Sequence, residues 1–171
     1  MGMDVYGDNA DEEVGEYFRR NVWGWRPLWD YIKEVHGDLV EGVEGHTNDG
    51  DGLDETNSLK LSNRLKIDLS TGKVAKYVED RNKAIAELPR IKCPLCNSTG
   101  IRSDAVGKEQ MMPTRALSPD VAKQVGRTIG WCNACDGLGD KESWDASYYL
   151  EVIDIEEFAE FLTHCGGFQI C

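Results

Sequence analysis

No run in this 171-residue chain approaches the roughly 18 consecutive apolar residues of a membrane span. The opening Met1-Gly-Met-Asp has neither the basic nor the apolar region of a secretory signal. No membrane partner and a cytoplasmic setting are therefore expected. Catalytic signatures are missing too: there is no Gly-x-x-x-x-Gly-Lys-Ser/Thr phosphate loop, no nucleophile elbow, no His-Glu-x-x-His, and no His-x-Glu ahead of the cysteines as in zinc deaminases. Positive charge is scarce at both ends. Residues 1–60 hold 5 Lys/Arg against 15 Asp/Glu, residues 61–130 hold 13 against 7, and residues 131–171 hold 1 against 9, for a total of −12. Binding to duplex nucleic acid neutralises several phosphates at once, so that charge disfavours it for the surface as a whole. The basic middle packs against the acidic ends, makes a solvated helical face, or forms a confined patch for an anion.

Against these absences stand two Cys-x-x-Cys knuckles, Cys93-Pro-Leu-Cys96 and Cys132-Asn-Ala-Cys135, in a chain with 6 cysteines. Two intervening residues let a tight turn aim both sulfurs at one metal, and two such turns supply the four thiolates of a tetrahedral Zn²⁺ site. One structural zinc ion on Cys93, Cys96, Cys132 and Cys135 is expected. A four-thiolate site has no open position for substrate. Free thiols with a metal fit a reducing compartment. The long segment between the knuckles must itself be structured, with a short helix capped by Ser118, begun by Pro119, apolar at Val121 and Val125 and stopped at Gly126. Met111-Met112-Pro113 reads as a packed hydrophobic loop.

The remainder reads as mainly α with short β elements: one domain over 1–171, with a zinc-knuckle subdomain at 91–140 inserted in a helical body. A first helix capped by Asn9 or Asp11 carries Tyr17, Phe18 and Val22, and a second starts at Pro27 and ends at His36-Gly37. A third runs from about Asp54 to Leu69 with Leu61, Leu65 and Leu69 on one face, and turns at Ser70-Thr-Gly72 into a fourth that has Val74, Tyr77, Val78, Ala84, Ile85 and Leu88 on its apolar side and ends at Pro89. The outer face of this hairpin carries Arg64, Lys66, Lys73, Lys76, Arg81 and Lys83. A last helix opens on the capping box Asp154-x-x-Glu157 and stops at Gly166-Gly167. The apolar tail Phe168-Gln-Ile-Cys171 then packs back as a strand or plug, with Cys165 and Cys171 as buried thiols.

Two stretches offer a ligand site. Positions 25, 28, 29 and 32 share a helical face, so the tryptophan cluster is first a core anchor, yet Trp23, Trp25 and Arg26 could equally floor a cleft and stack on a planar ring. The loop His46-Thr-Asn48-Asp49-Gly-Asp51-Gly52 places carboxylates, an amide and an imidazole on a glycine turn. It has Ser58 where an EF-hand needs a bidentate Glu. It either holds a polar ligand or a second metal, or is an Asx-rich turn that caps the next helix.

The second knuckle, with Gly137 and Gly139, resembles the cysteine-rich zinc repeat of DnaJ-type co-chaperones over residues 93–139. Two repeats in place of four, and no His-Pro-Asp of a J-domain, keep chaperone activity from following. The ordered set Met-Gly-Met-Asp-Val-Tyr-Gly, Trp25-Arg-Pro-Leu-Trp29, Asn48-Asp-Gly-Asp-Gly-Leu53 and Cys165-Gly-Gly-Phe-Gln-Ile-Cys171 resembles a family of small phage and bacterial proteins. That resemblance implies a source and a host-cell cytoplasm, and no reaction.

Three functions follow as expectations. The first is a non-enzymatic, zinc-stabilised accessory protein that sequesters a small nucleotide-like ligand as a counter-defence, using Trp23, Trp25, Arg26, His46, Asn48, Asp49 and Asp51; homo-oligomerisation would favour it. The second is an interaction module that blocks a host protein through acidic surfaces. The third is a hydrolase with a labile metal at His46, Asp49 and Asp51, supported if these converge with His36 or Glu55.

Overall fold

The computed structural model describes residues 2–126 and 130–171; Met1, which opens the motif carrying the family resemblance, lies outside them. The fold is mixed and helix-dominated, 48% helix and 15% strand. In chain order come β1 (Gly2–Gly7), β2 (Tyr17–Asn21), α1 (Val22–His36), β3 (Gly52–Asp54), α2 (Glu55–Ser70) and α3 (Lys73–Ala86). There follow β4 (Ile91–Lys92), α4 (Ala105–Glu109), α5 (Met112–Arg115), α6 (Pro119–Val125), β5 (Asp140–Lys141), α7 (Val152–His164) and β6 (Gly167–Ile170). They divide into two compact units: Met1–Ala86 with Ser147–Cys171, and Glu87–Ala146.

The first unit departs from the expected mainly helical body at its start. In place of a helix capped by Asn9 or Asp11, β1 and β2 pair antiparallel, with Asp11–Glu13 in the connection. The physical reason is the period of two: Met3, Val5 and Phe18 are buried, while Tyr6, Tyr17 and Arg19 are exposed. The C-terminal tail completes the sheet, since β6 pairs with both β1 and β3 in the order β2-β1-β6-β3, all antiparallel. Its inward residues, Phe168 and Ile170 among them, join one core with Trp25, Leu28, Trp29, Leu61, Leu65, Phe158, Phe161 and Leu162. Cys165 is buried there as expected, but Cys171 is exposed at the end of the strand.

Helix α1 starts five residues before Pro27, because the Asn21 side chain accepts the Gly24 N–H at 3.0 Å and caps it. Pro27 lies inside the helix and forgoes one backbone bond. The indoles of Trp25 and Trp29 stack with centroids 5.6 Å apart, both fully buried, and Trp25 Nε1 donates to the Gly45 carbonyl at 2.6 Å. The α2–α3 hairpin forms as expected, with Asp54 capping the Asn57 N–H at 2.8 Å, but α3 ends at Ala86, short of Pro89, and Ala84 and Leu88, expected on its apolar side, are exposed. A buried carboxylate ties it to α1: Asp68 Oδ2 accepts from Tyr31 Oη at 2.7 Å and lies 2.9 Å from His36 Nε2 and 3.2 Å from Lys73 Nζ. Burial pushes that carboxyl up, but the hydrogen bonds from Tyr31 and Lys73 outweigh it and hold it below the usual range. Helix α7 begins two residues ahead of Asp154, whose carboxylate accepts the Glu151 N–H at 2.9 Å and the Arg20 Nε–H at 2.8 Å.

The second unit holds two paired strands, β4 and β5, and three short helices. Helix α6 starts at Pro119 and stops at Gly126 as expected, but the Ser118 side chain makes no capping hydrogen bond, Val121 and Val125 are 43% and 51% exposed, and Ala122 is buried. Met111 is likewise exposed, in place of the packed loop expected at Met111-Met112-Pro113. With so few apolar side chains turned inward, the buried hydrophobic cluster of this unit is the four cysteines with Leu95 against them.

Candidate metal centre

The two knuckles repeat each other around an approximate two-fold. The strand entering the first pairs with the strand leaving the second, Lys92 opposite Asp140, and Ile101, leaving the first, bridges to Trp131, entering the second. Cys93 N–H donates to the Gly139 carbonyl at 3.0 Å, and Cys132 N–H to the Gly100 carbonyl at 2.9 Å. The backbone conformations also repeat, with positive φ at Asn97, Ser98 and Gly100 and again at Asp136, Gly137 and Gly139. Glycine is required at the last position of each turn by close approach as well as φ. A Cβ on Gly100 would sit 2.3 Å from the Gly137 carbonyl oxygen, and one on Gly139 2.5 Å from that of Ser98. Ser98 breaks the pattern, a β-carbon at φ 66° where the second repeat has Gly137.

This arrangement brings four buried sulfurs together, all within 4.8 Å of one another. Cys93 Sγ lies 3.5 Å from Cys132 Sγ, and Cys96 Sγ lies 3.7 Å from Cys135 Sγ. A tetrahedral ion with bonds of about 2.3 Å sets its sulfurs about 3.8 Å apart, so the spacing fits a metal. The Gly139 N–H donates to Cys135 Sγ at 3.3 Å, the kind of amide contact that disperses thiolate charge. At Cys93, burial raises the thiol but the amides of Cys96 and Leu95 outweigh it and hold it low, whereas burial pushes Cys132 up. Among the described residues, this is the one cluster of His, Cys, Asp or Glu side chains close enough to share an ion.

Two arginines strap the repeats together, and the sequence reading did not single them out. Arg90, before the first knuckle, reaches the Asp140 carboxylate at 2.5 Å and the Asp140 carbonyl at 3.1 Å, after the second. Arg102, after the first, holds Asp104 at 2.8 Å and 3.0 Å and donates to Asn133 Oδ1 inside the second at 2.8 Å. The hydrogen bonds to Asp140 and Asp104, with a smaller contribution from the nearby cysteines, favour the charged form of Arg90 and Arg102, and both side chains lie beside a site that would carry about −2 with zinc bound. Their one sequence signal is their place, a few residues to either side of the first Cys pair.

The side chains expected to form a ligand pocket do not converge. Trp25 is inside the core, where its ring meets Trp29 and Phe158. Trp23 packs on Tyr148 with centroids 4.9 Å apart, and Arg26 lies over the same ring at 5.7 Å. His46 Nε2 is 3.1 Å from Asp30, and Asp51 accepts the Glu44 N–H at 3.0 Å to close its own turn. Asn48 and Asp49 are exposed. His36 is committed to Asp68, so the second metal site expected at His46, Asp49 and Asp51 is not assembled. Thr47 and Asp51 bond the Glu44 backbone and His46 Nε2 meets Asp30 of α1, as in the Asx-turn alternative, while His46 Nδ1 is buried without a hydrogen-bond partner.

Nor does the basic face of α2 and α3 wait for phosphate. Arg64 pairs with Asp38 at 2.7 Å, Lys66 with Glu160 at 3.0 Å and Lys76 with Asp80 at 2.9 Å, while Arg81 donates to the Tyr148 carbonyl at 2.6 Å. Two clefts stand out elsewhere. One of about 240 Å³ is lined by Lys33, Gly37, Val40 and residues 41–44, and one of about 270 Å³ lies beside the metal centre, lined by Thr99, Gly100, Ile101, Ala116, Leu117, Ser118, Trp131 and Gly137. Neither is lined by any of the seven expected ligand residues, and both are smaller than the roughly 300 Å³ at which small-molecule sites begin. No described helix is long and apolar enough to cross a membrane. Comparison with protein-family models, curated proteins and solved structures finds no match.

Proposed function

We propose that this chain is a non-enzymatic binding protein whose second unit is organised by one structural zinc ion on Cys93, Cys96, Cys132 and Cys135. The observation that carries the reading is the convergence of four buried thiols at tetrahedral spacing. Four sulfurs complete the shell of zinc and leave no position for water or substrate. Zinc is preferred to iron because it needs no redox partner and suits a four-thiolate knuckle in a reducing compartment. Divergence of the ligand-pocket side chains moves the balance from sequestering a nucleotide to acting through a surface on another protein. Within the resemblance to small phage and bacterial proteins, that partner would be a host protein in the cytoplasm.

Native mass spectrometry of protein purified from its cells, comparing intact and denatured masses, tests this. One zinc per chain and no small-molecule adduct is the expected result. A stoichiometric nucleotide-sized adduct would restore the sequestering reading, and a second metal lost on Asp49→Ala would restore the hydrolase. Cys132→Ser protein that folds normally and carries the same zinc would overturn the assignment of the ligands.

A further inference from the structure

The four-stranded sheet has one face in the core and one in solvent. Along β1 and β2 the solvent side carries Asp4, Tyr6, Tyr17 and Arg19, and register places Tyr17, Tyr6 and Gln169 in one row across three strands. Tyr6 and Tyr17 are 49% and 44% exposed, with ring centroids 5.1 Å apart. Tyr17 donates to Asp4, and the Gln169 amide donates to Asp8 at 3.1 Å, so carboxylates border the ring pair on both sides. The single cation in these rows, Arg19, is 3.4 Å from Asp4.

From this placement we infer that the open sheet face, centred on Tyr6 and Tyr17, docks an arginine-rich segment of a partner protein. The inference rests on reading the chain as a binding protein and names the chemistry of its partner. Two tyrosine faces attract a guanidinium lying within about 6 Å of a ring centroid, and arginine stacks on them better than lysine does. Asp8, held by the neutral Gln169 amide, and Asp4, which Arg19 pairs, leave a net −1 on the face to attract such a segment, in an N-terminal stretch that holds 5 Lys/Arg against 15 Asp/Glu. Nucleic acid would meet the same carboxylates with its phosphates, and a second copy would bring another −12 to a face already negative.

The test is fluorescence anisotropy with a fluorescein-labelled nonapeptide of alternating arginine and serine. Wild type should bind saturably and more weakly at higher salt. Tyr6→Ser should bind at least about five-fold more weakly, and Tyr6→Phe, which keeps the ring, should bind like wild type. A control that removes two charges elsewhere, Glu79→Gln with Glu156→Gln, should lose less than about two-fold. Equal binding by Tyr6→Ser and wild type overturns the inference, and so does an equal loss in the control, which marks non-specific attraction. A wild-type dimer that Tyr6→Ser converts to monomer in sedimentation assigns the face to a second copy and also overturns it. Zinc content measured on the same samples keeps the two failures apart, because the docking face can fail with one zinc per chain in place.

Discussion

Stripping the metal should unfold residues 87–146 and leave the rest of the chain folded. The buried hydrophobic cluster of the second unit consists of Cys93, Cys96, Cys132 and Cys135, with Leu95 partly buried against them. At about 2 kcal/mol per fully buried side chain, such a cluster contributes roughly 8–10 kcal/mol before any entropy is counted. Structural zinc contributes about 10–16 kcal/mol at neutral pH, comparable with the roughly 5–15 kcal/mol by which a whole domain is usually stable. The unit therefore cannot stay folded without its ion. The first unit has 22 buried core residues, the largest being Trp25, Trp29, Tyr31 and Phe158, and needs no metal. Hydrogen exchange read by mass spectrometry, with and without a chelator, should show protection lost across 87–146 and kept in β1, α1, α2 and α7. Unchanged protection of residues 91–101 and 131–141 after metal is shown to be gone would refute the reasoning.

Ser98→Gly should stabilise the second unit by about 1 kcal/mol, because it relieves a β-carbon held at φ 66°, and should raise its melting temperature by about 4–8 °C by calorimetry. The reverse change at the matching position, Gly137→Ser, should cost more than that gain, since its Cβ would also lie 2.6 Å from the Trp131 ring. Gly45→Ala should destabilise the first unit by about 1–3 kcal/mol in urea unfolding, its Cβ falling 2.0 Å from an indole atom of buried Trp29; a loss under about 0.5 kcal/mol would show that this core yields. Two histidines should shape the pH dependence with opposite sign. Burial, only partly offset by the Asp68 carboxylate, holds His36 below its ordinary 6.5, so its contribution is full above 6.5 and is lost as pH falls through the folded pKa. The hydrogen bond to Asp11 outweighs desolvation and holds His164 above 6.5, so its contribution is full below 6.5 and is lost as pH rises through the folded pKa. Urea midpoints across pH 5–8 should therefore peak near 6.5, and His164→Gln should remove the alkaline fall while keeping the acid one.

The metal ligands were legible from sequence because two residues between cysteines is a local constraint that four thiolates of a closed site satisfy whatever surrounds them. The helices from Glu55 to Ala86 were legible too, since a leucine every fourth residue and an Asp cap act within one or two turns. The N-terminal strands were misjudged although Met3, Val5 and Phe18 alternate with polar neighbours. Acidic residues at 11–13 resembled a helix start, and only pairing with the chain's last strand decides between the two conformations.

By itself, then, the sequence determined the four cysteines of the candidate metal centre, the glycines their turns need and the helical hairpin, all set by neighbours a few residues apart. Tertiary structure alone decided that Trp25 is core and not cleft, that His46 and Asp51 take different partners, that Arg90 and Arg102 cross between repeats, and that Tyr6 and Tyr17 share an open face. These depend on side chains brought together across separations such as 39 residues between the paired cysteines and 161 between Asp8 and Gln169. No local preference encodes such pairings; they follow from which apolar face each element must bury.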